Sequence, residues 1–351
     1  QDRTNYWETV PSNYLELALW MESDRMGFLL PAMSQEKLDN QRDVVRNERR
    51  QSYENRPYGL VYEVLLAGMY PPGHPYSWPT IGSMADLAVA SREDVADFFR
   101  RYYHPANASL CIAGDFDPAS AKRLVEKYFG PIPAGPRVPK VQPDPVEPLQ
   151  EDVRVSMTDR VGLARLHLVW RSVPLYAPDD AELDVLADIL AGGKTSRLYR
   201  LLVRDKQIAQ DVQASQNSRE IDGSFFIVVT GRPGQTLAEL EAAVLGEVAR
   251  LQAEPPSAEE VARAVARHES SLIQNLEPVG GFGGRADQLN LYNVYAGQPG
   301  YLENDFDRYL RVDPAAVQRV ARQYLGAKKM VLEVTPGSQT EIKPDPREPA
   351  A

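Results

Sequence analysis

The sequence predicts an α+β protein of two homologous halves, each a mixed β-sheet packed with helices, the first half incomplete. Three observations point there. Apolar residues recur at helical spacing in some stretches and alternate as in strands in others. Seven prolines fall between Pro131 and Pro148 and erase both periods. A helix ending in Tyr and followed by a strand occurs around Val95, Tyr102, Leu110 and Ile112, and again 222 residues later at Val317, Tyr324, Leu332 and Val334.

The domain boundaries follow from that reading: residues 1–135, a proline-rich linker over 136–149, a second domain over 150–338 and a tail over 339–351. A chain of 351 residues exceeds what one core usually serves, which agrees with two domains. In the first half the spacing predicts helices over 34–51, 92–103 and 119–128, with a strand at Leu110–Ala113. In the second, strands are predicted over 153–157, 164–170, 208–214 and 224–230. Helices are predicted over 181–190 and 195–203, with an apolar stripe at Leu237, Leu240, Val244, Val248 and Leu251. Ser257 and Glu260 form a capping box opening a helix that runs to about Gln274.

Hydrophobic residues at 43% and charged residues at 25% describe a globular chain. The net charge of −10, with acids and bases interleaved, excludes a nucleic-acid surface. Cys111 is the single cysteine, so no intrachain disulfide forms; its apolar surroundings predict a buried filler. No run reaches the roughly eighteen apolar residues of a membrane helix. Gln1, opening a polar run, reads as a processed or engineered boundary.

Several segments, in order, resemble the pitrilysin/insulinase peptidases, and in particular their bacterial members related to mitochondrial processing peptidase. They are Leu15–Met26, Asp43–Arg50, His74-Pro-Tyr76 with Ile81-Gly82, Tyr102–Ala108 followed by Ala113–Phe116, then Gly192–Tyr199, Leu202–Ala209 and Gly280–Gly284. The resemblance implies a clamshell of two domains and a zinc endopeptidase acting on extended peptides or unfolded polypeptides, held by β-addition at a sheet edge. It also implies a periplasmic or secreted setting, and a homologous subunit or dimer partner.

The family's inverted zinc motif, H-x-x-E-H, puts two imidazoles on one helical turn with a Glu that takes a proton from metal-bound water. None of the four histidines, His74, His104, His167 and His268, stands in that motif. His268-Glu269 begins the opposite order, but residue 272 is Leu. Each histidine is therefore read as a surface or loop-anchoring residue. The resemblance places the motif upstream of residue 1, so this chain alone is expected to carry no catalytic residue and no activity.

Glu48 is the metal candidate. Val44 and Val45 precede it by four and three residues, which puts its carboxylate on an apolar helical face where it needs a cation. Spacing alone leaves two readings open, a metal ion or a guanidinium from Arg25, Arg49 or Arg50. The resemblance implies the family's third zinc ligand. Gln41 stands where relatives often carry a supporting acid, and Val203 and Gln210 stand where many relatives place an Arg and a Tyr that hold the substrate carbonyl. Arg204, one residue off that register, is the remaining candidate for substrate binding. The alternative function is a non-catalytic partner or scaffold subunit of an active peptidase.

Overall fold

The computed structural model describes residues 2–340; most of the expected tail, from residue 341, lies outside them. The first half supplies α1 (Leu15–Ala32), α2 (Gln35–Arg49), α3 (Val61–Met69), α4 (Met84–Val89), α5 (Arg92–Tyr102) and α6 (Pro118–Phe129). The second supplies β1 (Val153–Asp159), β2 (Arg165–Ser172), α7 (Asp180–Ala191), β3 (Ala209–Ser218), β4 (Gly223–Gly231), α8 (Leu237–Ala253) and α9 (Ala258–Asn275). It continues with α10 (Arg285–Leu291), α11 (Leu302–Leu310), α12 (Pro314–Leu325) and β5 (Met330–Pro336).

The strands form one mixed five-stranded sheet in the order β1-β5-β2-β4-β3, with β1 parallel to β5 and the other pairs antiparallel. Alternation along β2 divides its side chains between two faces. Leu166, Leu168 and Trp170 stand opposite Val229, Ile227 and Phe225 on one face, which packs on Leu183, Leu186 and Leu190 of α7, Leu240, Val244 and Val248 of α8, and Val317 and Val320 of α12. His167 and Val169 stand opposite Leu332 and Met330 on the other, which Leu65, Leu66 and Met69 of α3 cover. The first half thus closes the second face of the sheet.

One strand expectation is corrected. Leu110–Ala113 is extended but is not a strand, because no neighbouring strand supplies a ladder among the described residues. The first half therefore shows helices only among those residues. Over the expected linker, 136–149, no helix or strand forms, and Val146 and Leu149 pack against the second core. Residues 339 and 340 run beside β1, where Thr340 donates to the Thr158 carbonyl at 2.8 Å. Cys111 is half-buried.

Candidate functional site

Ser34 starts α2 by accepting from the Lys37 amide at 3.3 Å, and Arg46 and Arg49 in its last turn suit the negative end of the helix. Arg49 turns inward. Its Nη2 donates to both oxygens of Glu63 at 3.0 and 3.2 Å, its Nη1 to the Gly82 carbonyl at 2.9 Å, and its Nε to Glu54 at 3.3 Å. Glu48 lies about 100° further round the helix and is exposed.

The burial expected of Glu48 is not found. Of the two valines that defined its apolar face, Val45 is half-buried but Val44 is 48% exposed, and Glu48 lies on the open side with it. The three arginines weighed as partners are engaged elsewhere: Arg25 with Glu22, Arg49 as above, and Arg50 with the Asn47 side chain. Glu48 lies near Tyr53, whose phenol is pushed up by burial first and by the Glu48 charge second. Among the described residues no three His, Cys, Asp or Glu side chains converge to hold a metal. One exposed carboxylate is a single donor, whereas a zinc site takes three or four protein donors.

The histidines are anchored, and two of them more deeply than expected. His74 stacks on Tyr70 with 4.7 Å between ring centroids, and its Nδ1 accepts from the Tyr76 amide at 3.1 Å. The ring nitrogens of His104 face the carbonyls of Ala134 and Arg101 at 3.0 and 2.9 Å. His167 is no surface residue, for it is 6% exposed and its Nε2 finds no partner. Burial, aided by Arg165, pushes its imidazole down to about 3. His268 stacks on Tyr309 at 4.9 Å inside the α7–α9–α11 seam.

Arg204 is exposed and bound to its neighbour Asp205 at 2.7 Å. No hydrogen bond or ion pair joins it to Glu48. The predicted helix over 195–203 widens into π-type turns over Tyr199–Asp205. Gly193 adopts φ +123°, which a side chain would oppose, and its carbonyl accepts from Ser196 Oγ at 2.6 Å. The loop Gly280–Gly284 is pinned by Asp287, which accepts from the Gly283 amide at 3.0 Å and from Asn5 at 2.9 Å.

One polar cluster was missed from sequence. Asp180, Asp184 and Asp188 recur every fourth residue of α7 between buried apolar positions; Asp180 and Asp184 meet Arg308 and Tyr309 of α11, and Asp188 meets Arg267 of α9. An acid repeated at helical spacing inside an apolar helix was the available signal.

The chain matches the family described as the peptidase M16 inactive domain over residues 90–267. It is 25% identical to the zinc protease PqqE of Helicobacter pylori over 328 residues, covering 92% of this chain and 72% of that protein. It is 23% identical to the zinc protease YmxG of Bacillus subtilis, covering 79% of this chain and 65% of that protein. In fold it is similar to the crystal structure of a protease from Helicobacter pylori, with a TM-score of 0.81 at 23% identity over 93% of this chain and 78% of the other.

Proposed function

The chain belongs to the peptidase M16 family, the pitrilysin/insulinase peptidases, and from that premise we propose that it serves zinc-dependent cleavage of extended peptides. In that reading Glu48 is one of the metal's donors. One observation carries the reading: the chain follows a zinc protease along nearly its whole length, with Glu48 in the segment Asp43–Arg50. The division into residues 1–135 and 150–338, and a periplasmic or secreted setting, belong to the same proposal.

The residues of this chain do three things in that scheme. Arg49 fixes the end of α2 through Glu63 and Gly82, so the carboxylate beside it is presented to solvent from a rigid turn. The outer edge of β3, with no strand beside it among the described residues, offers unpaired backbone groups to an extended peptide. Arg204, on the exposed turn just before β3, adds a positive charge toward a substrate carbonyl or carboxylate.

A non-catalytic partner subunit is the second reading. Val203, Gln210 and the exposed position of Glu48 favour it. Zinc content and cleavage of an internally quenched peptide, measured on the full gene product, separate the two. The peptidase reading expects one zinc per chain and loss of both metal and activity in Glu48→Gln. A gene product without zinc, or one whose zinc survives that substitution, favours the partner subunit.

A further inference from the structure

The seam between α7, α9 and α11 holds more negative than positive groups. Arg308 donates to Asp180 at 3.1 Å and to Asp305 at 2.6 and 3.1 Å. Its guanidinium is thereby spent on two buried carboxylates. Asp184 receives only a neutral hydroxyl, that of Tyr309, at 2.7 Å. Asp188 is met by Arg267 at 3.3 Å, while His268 Nε2 stays 3.7 Å away and neither that nitrogen nor Asp188 Oδ2 has a partner. Asp180 Oδ1 is also buried without a partner.

The other packed elements bring no further cation. The segment before α7 adds Tyr176, whose amide donates to Asp180 at 3.0 Å and whose ring lies under Arg308. On α12, Arg319 and Tyr324 are both taken by Asp179, and β3 presents Val212 and Ala214. Asp180, Asp184 and Asp305 thus gather round the single guanidinium of Arg308, and Asp184 is the one it does not bond, so negative charge there is disfavoured.

We propose that Asp184 is the proton-operated part of a clasp that holds α11 against α7, closed when its carboxyl is protonated and loosened when it ionises. The clasp reaches further than α11. Tyr292, just after α10, donates to Asp305 at 2.8 Å, and its ring packs with those of Tyr176 and Tyr301. The stretch from Tyr292 to the end of α11 is therefore tied to α7 through this seam.

The electrostatics set the direction. Burial, and next the charge of Asp180, push the Asp184 carboxyl up to about 7. With α11 released, it returns toward the ordinary Asp value near 3.9. The opened form therefore gives up its proton first. Opening becomes easier as pH rises from about 4 to about 7, and levels off above.

Amide hydrogen exchange of residues 302–310, corrected for its intrinsic pH dependence, tests this on the whole chain. The opening constant is expected to rise at least about tenfold between pH 5.5 and 7.5 in the wild-type protein and to stay flat in Asp184→Asn. Asp188→Asn is expected to keep the rise. The clasp is overturned if wild-type opening does not change with pH, if Asp184→Asn rises equally, or if Asp188→Asn abolishes the effect. Should Asp184→Asn not fold, carboxyl NMR of the wild-type protein decides: a midpoint near 7 supports the clasp, and one below 5 removes it.

Discussion

Arg197 and Glu260 meet through two parallel hydrogen bonds, Nε to Oε1 at 2.7 Å and Nη2 to Oε2 at 2.8 Å. The same Glu260 oxygen accepts from the Ser257 amide at 2.9 Å, so one carboxylate both caps α9 and fastens it to the turn after α7. Arg197 also approaches Glu247, which is nearly inaccessible. Removing the guanidinium would leave Glu260 with only its Ser257 bond, whereas Glu247 keeps Arg250 at 2.9 Å. Arg197→Ala is expected to cost about 3 kcal/mol in urea denaturation, and Arg197→Lys to recover less than half, because an ammonium cannot make the paired bonds. Full recovery by Lys would show that charge alone matters here.

The acid limb of stability should report the same pair. Arg197 first, with the Ser257 bonds adding, holds the Glu260 carboxyl down to about 2. A depressed folded value contributes stability that is complete above the unfolded value near 4.3 and is lost as pH falls toward 2. Solvent screening reduces it, since Glu260 is half-buried and still meets water, so about 1 kcal/mol is expected. Glu260→Gln should remove that part of the acid transition. Ser257→Ala should cost about 1 kcal/mol at every pH through the lost cap.

How much of this was legible depends on whether the cause was local. The capping box of Ser257 and Glu260 and the stripe from Leu237 to Leu251 are properties of adjacent residues, and each formed as read. What lies across from a segment was not legible. Period-two alternation put His167 on the polar side of its strand, but could not say that α3 covers that side too. Val44 and Val45 marked an apolar stripe for Glu48, but helical spacing tells which side chains share a face and not whether anything packs on it. Leu110–Ala113 has the composition of a strand and lacks the neighbour that makes one. The acids of α7 have their partners on α9 and α11, far off in sequence.

His167 supplies a pH dependence of opposite origin. Its folded value near 3 lies below the unfolded value near 6.5, so the unfolded chain takes up a proton first as pH falls. Stability attributable to the neutral ring is present above about 6.5 and is lost on acidification toward 3. Between pH 7 and pH 5 the loss is expected to be about 2 kcal/mol. His167→Leu should flatten that interval, since Leu332 and Val169 already make the surroundings apolar. A variant with the same slope as wild type would place the protonation elsewhere.

Glu48 and Arg49 are neighbours with opposite consequences, and separating them decides how any metal result is read. Glu48 is exposed and makes no ion pair among the described residues, so Glu48→Gln should change the folding free energy by less than about 0.5 kcal/mol. Arg49 is buried, with bonds to Glu54, Glu63 and Gly82, and Arg49→Met should cost about 2 to 3 kcal/mol by leaving Glu63 and the Gly82 carbonyl without their donor. Chemical denaturation of both variants measures the contrast. If Glu48→Gln destabilises the chain as much as Arg49→Met, zinc lost from that variant would reflect unfolding of α2. A stable Glu48→Gln makes the same loss a property of the carboxylate itself.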